Sequence, residues 1–264
     1  MSKNIFILLS RQRSGTQMFR DLIRAHPDIS ITGEIFHSNR EGKNNSFFNF
    51  LVSNFNNDLN SYFDALASPK IIFNSFLESI LEKSKKEKVL IDVKYSSVHH
   101  FEGFWKELNE ESNLFKLIKK AEIGVVHLIR ENYLENYCSA LLAKVNQNWS
   151  AYDSERKVDK IYVNTGEMLD EISKREQEVS VIKKVFSDYA AYKEIVYEEI
   201  LDSSGNFSES LQHELKCFFD INQSHDFLRR PRTNKTAKPL KSLIENYDEV
   251  KSVLSVSEFS DMLD

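Results

Sequence analysis

Glycine and proline are scarce in this chain, with seven and four residues among 264. Turn-rich β-sandwiches use many of both, so the scarcity argues against an all-β fold and favours long helices. No run of 18 apolar residues is present, so we expect no membrane-spanning helix. The two cysteines, Cys138 and Cys217, are too few for a disulfide framework or a metal cage. Residues 5–9 form an apolar run too short for a signal-peptide core, so we expect a reduced, cytoplasmic protein.

Positive charge is not in excess: 35 Lys and Arg residues face 40 Asp and Glu residues, giving a net charge of −5. We therefore expect no nucleic-acid partner, and any polyanion must bind at a local basic patch. One such patch lies between Arg229 and Lys241, where six basic residues occur without an acid. We expect this loop to fold over an anionic ligand, with Arg232 and Lys235 as candidate contacts. The alternative is a solvated loop.

Short apolar strands alternate with helical patterns along the whole chain. The predicted strands lie at residues 4–9, 29–36, 89–93, 123–129 and 195–197. The predicted helices follow Thr16 and cover about 44–85, 112–121, 133–145, 166–190, 208–219 and 242–254. This order predicts an α/β fold with a central parallel sheet and helices on both faces. We expect one domain over residues 1–264, with helical insertions near 44–85 and 146–190.

The first turn, Ser10 to Thr16, joins a buried strand to an amphipathic helix. Such a turn directs backbone N–H groups and the positive end of the helix dipole towards one point, which suits an anion. Arg13 adds a guanidinium group, and Ser14 and Thr16 add hydroxyl donors. The nucleotide-triphosphatase pattern GxxxxGK[ST] is absent. The alternative is an ordinary strand-to-helix turn with surface arginines.

A second candidate anion site follows the strand at 123–129, where Arg130 stands at the strand end. Asn132, Asn136 and Ser139 are spaced four and three residues apart, so they form one polar stripe on the next helix. A strand-end arginine beside a helical serine could bind a second phosphate. The alternative is a surface arginine next to a polar helix face.

These segments resemble the sulfotransferases that use 3′-phosphoadenosine-5′-phosphosulfate (PAPS), and especially their bacterial carbohydrate branch. Residues 10–16, SRQRSGT, are similar to the family's 5′-phosphosulfate loop, and residues 127–139 are similar to its 3′-phosphate motif. Further similarities lie at His26-Pro27 with residues 33–36, at 195–198 and at 238–247. The resemblance implies a P-loop-like fold that binds PAPS and needs no metal. The implied cofactor-binding residues are Arg11, Arg13, Ser14, Gly15, Thr16, Gln17, Arg130, Ser139, Arg232 and Lys235.

The resemblance also implies the residues that would carry out the chemistry. Lys94 ends the strand at 89–93, where the family often has a lysine, and Arg13 joins it in neutralising the leaving phosphate. Glu34 is the expected general base for the acceptor hydroxyl. His99 and His100 are rival bases, and His37 is a further possibility. The alternatives are a solvated strand end for Lys94 and a capping or ion-paired carboxylate for Glu34.

The predicted function is transfer of the sulfuryl group from PAPS to a hydroxyl of an acceptor, a carbohydrate or glycolipid. A P-loop-like nucleotide phosphotransferase is the alternative enzyme, although the Lys-Ser or Lys-Thr that would hold phosphate and Mg²⁺ is missing. A non-catalytic nucleotide-binding protein is the third possibility. The expected partner is a small-molecule or carbohydrate acceptor.

Overall fold

The computed structural model describes residues 4–36, 46–55, 68–102, 110–148, 158–232 and 239–263. Its centre is a five-stranded sheet in which every paired strand is parallel, ordered β2-β3-β1-β4-β5. The strands are β1 (Ile5–Ser10), β2 (Ile29–Glu34), β3 (Lys88–Lys94), β4 (Gly124–Ile129) and β5 (Tyr192–Val196). The predicted α/β class and parallel sheet are confirmed.

Helices connect these strands and cover both faces of the sheet. In chain order they are α1 (Thr16–Arg24), α2 (Phe47–Phe55), α3 (Pro69–Lys83), α4 (Asn113–Lys120), α5 (Tyr133–Asn146), α6 (Thr165–Phe186), α7 (Glu209–Phe219), α8 (Leu240–Leu243) and α9 (Tyr247–Ser255). Short 3₁₀ segments follow β3 at Tyr95–Phe101 and β5 at Tyr197–Glu199, and a third lies at Ser260–Leu263. In the region 44–85, which was predicted to be helical, most of the described residues form α2 and α3. Residues 44–45 and 56–67 of that region lie outside the described ranges.

Side chains alternate across the strands and divide the core into two layers. One layer contains Leu8 of β1 and packs under α1 and α7. The other contains Ile7 of β1 and packs under α2, α3, α4 and the end of α6. A third cluster joins α5, the start of α6, α8 and α9 beyond the sheet. Burial of these apolar side chains supplies the main driving force for this arrangement.

The strand order creates a crevice at the carboxyl edge of the sheet. The connection from β1 runs through α1 on one face, whereas the connection from β4 ends in α6 on the other face. Because the two connections leave in opposite directions, the loops that follow these neighbouring strands separate. This is the topological switch point where open α/β sheets bind ligands.

Several predicted boundaries are wrong. The last strand begins at Tyr192 rather than Ile195, because the charged residues Lys193 and Glu194 interrupt its apolar run at this edge of the sheet. The final helix is two helices, α8 and α9, because Ile244 leaves the helix to form a parallel bridge with Ile161. The strand predicted at 29–36 ends at Glu34, after a shift in register.

No helix in the described part of the chain is long and apolar enough to cross a membrane. Cys138 is buried in α5 and Cys217 is exposed on α7, and both are free thiols. Burial raises the pKa of the Cys138 thiol to about 12, so this side chain behaves as a small apolar group.

Candidate functional site

The turn between β1 and α1 has a backbone that favours glycine at one position. Gly15 has φ +82°, and a Cβ at this position would come within 2.1 Å of the Tyr197 ring. Arg13 also has positive φ, at +67°. Within the described residues, no side chain caps the N-terminus of α1 and no acid lies in its first turn. The N–H groups and the helix dipole therefore face the crevice, as an anion site requires.

Lys94 lies beneath this turn with its side chain 4% exposed. Its ammonium group donates to Thr16 Oγ1 at 2.8 Å and to Ser10 Oγ at 3.1 Å. The interpretation of Lys94 as a solvated strand end is therefore wrong. The cause is the sheet register, which pairs Lys94 directly with Ser10 at the end of β1.

Asp92 is a site residue that the sequence reasoning missed. Its carboxylate is fully buried, 2.9 Å from Lys94 Nζ and 3.0 Å from an Arg20 guanidinium nitrogen. Residues two apart in a strand share a face, so Asp92 and Lys94 both point towards α1. The sequence signal that could have revealed Asp92 is a single acidic residue within an otherwise apolar run of β3. Arg20 of α1 is the second cation that pairs with this carboxylate.

Glu34 ends β2 at the edge of the same site. Its Oε1 lies 3.8 Å from Lys94 Nζ, and its side chain is 38% exposed. Glu34 of β2 is paired in register with Asp92 of β3, so the two carboxylates lie on neighbouring strands. The residue is therefore at a strand end beside the buried ammonium group and remains accessible to a substrate. It caps no helix.

The two anion-binding turns predicted from the sequence meet across the crevice. Arg13 Nε donates to Ser139 Oγ at 3.1 Å, and an Arg130 guanidinium nitrogen donates to the Arg13 carbonyl at 3.3 Å. Ser139 is 4% exposed and faces the crevice, whereas Cys138 packs into the apolar cluster beneath α5. Ser139 is therefore the one of these two neighbouring side chains that an anion in the crevice could contact.

Arg130 is 6% exposed and is held from several sides. One guanidinium nitrogen donates to Glu135, and the guanidinium lies 5.0 Å from the centre of the Tyr197 ring. Its Nε is buried without a hydrogen-bond partner. A buried guanidinium N–H that lacks a partner is costly, and an anion in the crevice would satisfy it. Tyr197 thus supports both Gly15 and Arg130.

The segment after β5 is tied to the second turn. Glu198 accepts hydrogen bonds from the backbone N–H groups of Glu131 and Asn132, each at 3.2 Å. Asn132 in turn caps α5 by accepting from the Glu135 N–H. These contacts fix the turn that carries Arg130. They give Glu198 a structural role that its position in the sequence did not reveal.

A narrow cleft runs from the loop towards α6, and three arginines lie along it. It is lined by Arg11, Ser14, Tyr95, Arg130, Tyr133 and Arg175, with three further residues. Arg11 pairs with Glu178 of α6. Arg175 pairs with Glu171 at 2.5 Å and donates through Nε to Asn136 Oδ1 at 3.2 Å. Arg175 had no distinguishing signal in the sequence, since it stands in a helix with many charges.

For four other predicted site residues, the structure describes no contact with the residues of the crevice. Arg232 lines a pocket with Asp21 and Arg24 near the end of α1, about 12 Å along the helix axis from Thr16. Gln17 is half-buried in the first turn of α1. Lys235 and His37 lie outside the described residues.

The predicted histidines differ in their surroundings. His99 and His100 lie in the 3₁₀ segment after β3, with ring centres 4.0 Å apart. His100 packs against Phe36 and Phe48, and burial lowers its pKa. His127, by contrast, is fully buried in β4.

No family model and no curated protein matches this chain. Among the described residues, no group of three or more His, Cys, Asp or Glu side chains is arranged to hold a metal ion. The function is therefore inferred from the chemistry of the crevice.

Proposed function

We propose that this protein is a PAPS-dependent sulfotransferase that acts on a hydroxyl group of a carbohydrate or glycolipid acceptor. The observation that carries the proposal is the position of Lys94. Its ammonium group lies 2.8 Å from Thr16 Oγ1 in the anion-binding turn and 3.8 Å from the Glu34 carboxylate. One buried cation therefore stands between a phosphate-binding turn and an accessible base.

The donor would occupy the crevice between β1 and β4. The uncapped N–H groups at the start of α1, with Ser14 and Thr16, would bind the 5′-phosphosulfate. Arg130 and Ser139 would bind the 3′-phosphate, for which the partnerless Nε of Arg130 is a ready donor. The P-loop-like architecture expected from the resemblance is part of this proposal.

The reaction needs a nucleophile and stabilisation of a leaving group. Glu34 would accept the proton of the acceptor hydroxyl while the oxygen of that hydroxyl attacks the sulfur of PAPS. The bond from sulfur to the phosphate oxygen breaks in line, giving a sulfate ester and adenosine 3′,5′-bisphosphate (PAP). Lys94 and Arg13 would stabilise the charge that develops on the leaving phosphate. Holding donor and acceptor in line supplies further acceleration.

Two measurements test the proposal. Isothermal titration should detect binding of PAP without Mg²⁺ and weaker binding of ATP with Mg²⁺. Incubation with PAPS carrying labelled sulfate should transfer label to members of a panel of neutral sugars. Binding of ATP with Mg²⁺ in preference to PAP would support the phosphotransferase alternative. PAP binding without label transfer to any hydroxyl acceptor would support the non-catalytic alternative.

A further inference from the structure

The ammonium group of Lys94 is surrounded by oxygen atoms from three elements. Ser10 Oγ at the end of β1 and Thr16 Oγ1 at the start of α1 accept hydrogen bonds from it, at 3.1 Å and 2.8 Å. Asp92 Oδ1 of β3 lies 2.9 Å from the same nitrogen. We call these three oxygens, Ser10 Oγ, Thr16 Oγ1 and Asp92 Oδ1, the cation cage. Glu34 Oε1 lies just outside it, 3.8 Å from the nitrogen.

The cation cage is held in place by the backbone and by Arg20. Strands β1 and β3 pair so that Ser10 lies beside position 94, and Asp92 is two residues earlier on the same face of β3. Thr16 is the first residue of α1. Arg20 holds the other carboxylate oxygen of Asp92 at 3.0 Å. Because none of these constraints passes through the Lys94 side chain, we expect the cage to persist when that side chain is shortened.

The oxygens of the cation cage suit hard cations in general. All three residues are buried, so bulk water competes little for their oxygens. Within the described residues, Asp92 Oδ1 accepts no hydrogen bond, so its contact with Lys94 is that of an ion pair. Oxygen ligands of this kind also bind divalent cations. The chemistry of the cage therefore does not by itself require an ammonium group.

Two members of the cation cage match the residue types that bind a metal in P-loop NTPases. Those enzymes hold Mg²⁺ between a Ser or Thr hydroxyl of the phosphate loop and an aspartate. In this chain Thr16 follows the candidate anion-binding turn, and Asp92 is the acid. The Lys94 nitrogen lies 2.8 Å from the Thr16 oxygen and 2.9 Å from the Asp92 oxygen. The ammonium group thus stands where one divalent ion would contact both residues.

The charges around the cation cage are balanced by this ammonium group. Two cations, Lys94 and Arg20, face two carboxylates, Asp92 and Glu34. A divalent ion that entered would meet the ammonium at close range and find its oxygen ligands taken. An anion that enters the turn without a metal meets no such conflict. Removal of the ammonium would leave one excess negative charge and open oxygen lone pairs, which attract a divalent cation.

We propose that Ser10, Thr16 and Asp92 form a cation site that the chain fills with the Lys94 ammonium, in the place where P-loop enzymes hold Mg²⁺. The consequence for ligands is that the crevice takes a phosphate-bearing anion without its metal and rejects the Mg²⁺ complex of the same anion. The cation site stands on the geometry alone, whereas its consequence for the donor rests on the proposed sulfotransferase function.

Mn²⁺ binding tests the cation site without any nucleotide. We expect Lys94→Ala to bind Mn²⁺ at least about tenfold more tightly than the wild type, because the cage then offers a carboxylate and two hydroxyls to the ion. Adding Asp92→Asn should abolish this gain. Lys94→Met fills the volume of the lysine without its charge and should bind no better than the wild type. Equal affinity in Lys94→Ala and wild type, or a gain that survives Asp92→Asn or also occurs in Lys94→Met, would overturn the proposal.

Lys88→Ala is the matched control. Lys88 is buried at the opposite end of β3, 3.3 Å from a Glu87 carboxylate oxygen, and in the described structure no hydroxyl group contacts its ammonium. Its removal changes the charge of the protein by the same amount without opening an oxygen cage. A comparable rise of Mn²⁺ affinity in Lys88→Ala would reveal a general charge effect and would refute the cation site.

Thermal unfolding covers the case in which Lys94→Ala is poorly stable. The variant leaves the buried Asp92 carboxylate without one of its two cations, so its melting temperature should fall. MnCl₂ should restore much of this loss and leave the wild-type melting temperature unchanged, because only the variant binds the ion. A variant that Mn²⁺ neither refolds nor stabilises would count against the cation site.

Pyrophosphate with and without Mg²⁺ tests the consequence for ligands. The wild type should bind pyrophosphate more tightly without Mg²⁺, and Lys94→Ala should bind it more tightly with Mg²⁺. A wild-type preference for the Mg²⁺ complex would overturn the selection of metal-free anions. Absence of PAP binding in the wild type would refute the proposed function, whereas the Mn²⁺ measurements need no nucleotide and would still decide the cation site.

Discussion

Arg13 and Ser139 are 126 residues apart in the chain and meet across the crevice, where Arg13 Nε donates to Ser139 Oγ at 3.1 Å. This bond joins the turn after β1 to the helix after β4. Each element contributes only one of these two side chains to the candidate anion site. The two turns act together because β1 and β4 are neighbours in the sheet.

Arg130→Ala should weaken PAP binding by about 1.5–3 kcal/mol, the usual contribution of a hydrogen bond to a charged group. The affinity for adenosine 5′-monophosphate should change much less, because that nucleotide lacks the 3′-phosphate. Isothermal titration of both ligands measures the difference. Equal losses would show that Arg130 contacts the 5′ side or supports the turn through Arg13.

Glu135→Gln should strengthen PAP binding by about 1 kcal/mol, the order of a partly exposed ion pair. The Glu135 carboxylate occupies a guanidinium nitrogen of Arg130 that the 3′-phosphate would use. Glu131→Gln, an exposed neighbour with the same charge, is the control for a general charge effect. A weaker affinity in Glu135→Gln would indicate that Glu135 orients Arg130 for the ligand.

Glu34→Gln should lower turnover by about 10²–10⁴-fold, the usual effect of removing a general base. PAP affinity should be nearly unchanged or slightly higher, because a negative charge leaves the site. Glu87→Gln is a suitable control, since Glu87 is 65% exposed at the opposite end of β3. Turnover near the wild-type rate in folded Glu34→Gln protein would redirect attention to His99 and His100.

Lys94→Met should remove turnover and also lower the free energy of unfolding by about 3 kcal/mol, because it leaves the buried Asp92 carboxylate without one of its two cations. The double variant Lys94→Met with Asp92→Asn should recover part of the stability and none of the turnover. Denaturant unfolding and sulfate transfer measure the two effects separately. Recovery of turnover in the double variant would contradict a catalytic role for Lys94.

Stability should fall as the pH drops below about 6.5, and His127 should be a main cause. Burial lowers its pKa from 6.5 to about 3 in the folded state, so the unfolded chain binds the extra proton first. Stability from this group is therefore present above pH 6.5 and is lost progressively towards pH 3, by about 2 kcal/mol at pH 5. Denaturant unfolding at pH 7.5 and pH 5 should show a smaller difference in His127→Gln.

The strand pattern was predictable because each buried strand carries a local signal. Continuous apolar runs in β1, β3 and β4 mark strands with both faces covered, and those three were located within two residues. The start of the edge strand β5 was missed because Lys193 and Glu194 interrupt its apolar run. The break between α8 and α9 depends on a bridge from Ile244 to Ile161, which lies far away in sequence.

Local patterns along the chain were enough to predict the α/β class, the glycine turn before α1 and the segments of the resemblance, because each depends on residues that are close in sequence. Which of those residues meet depends on the tertiary fold. The pairing of β1 with β3 placed Lys94 under Thr16, and the packing of α6 brought Arg175 and Glu178 to the cleft. Strand order and helix packing are fixed by burial over the whole core, which no local pattern encodes.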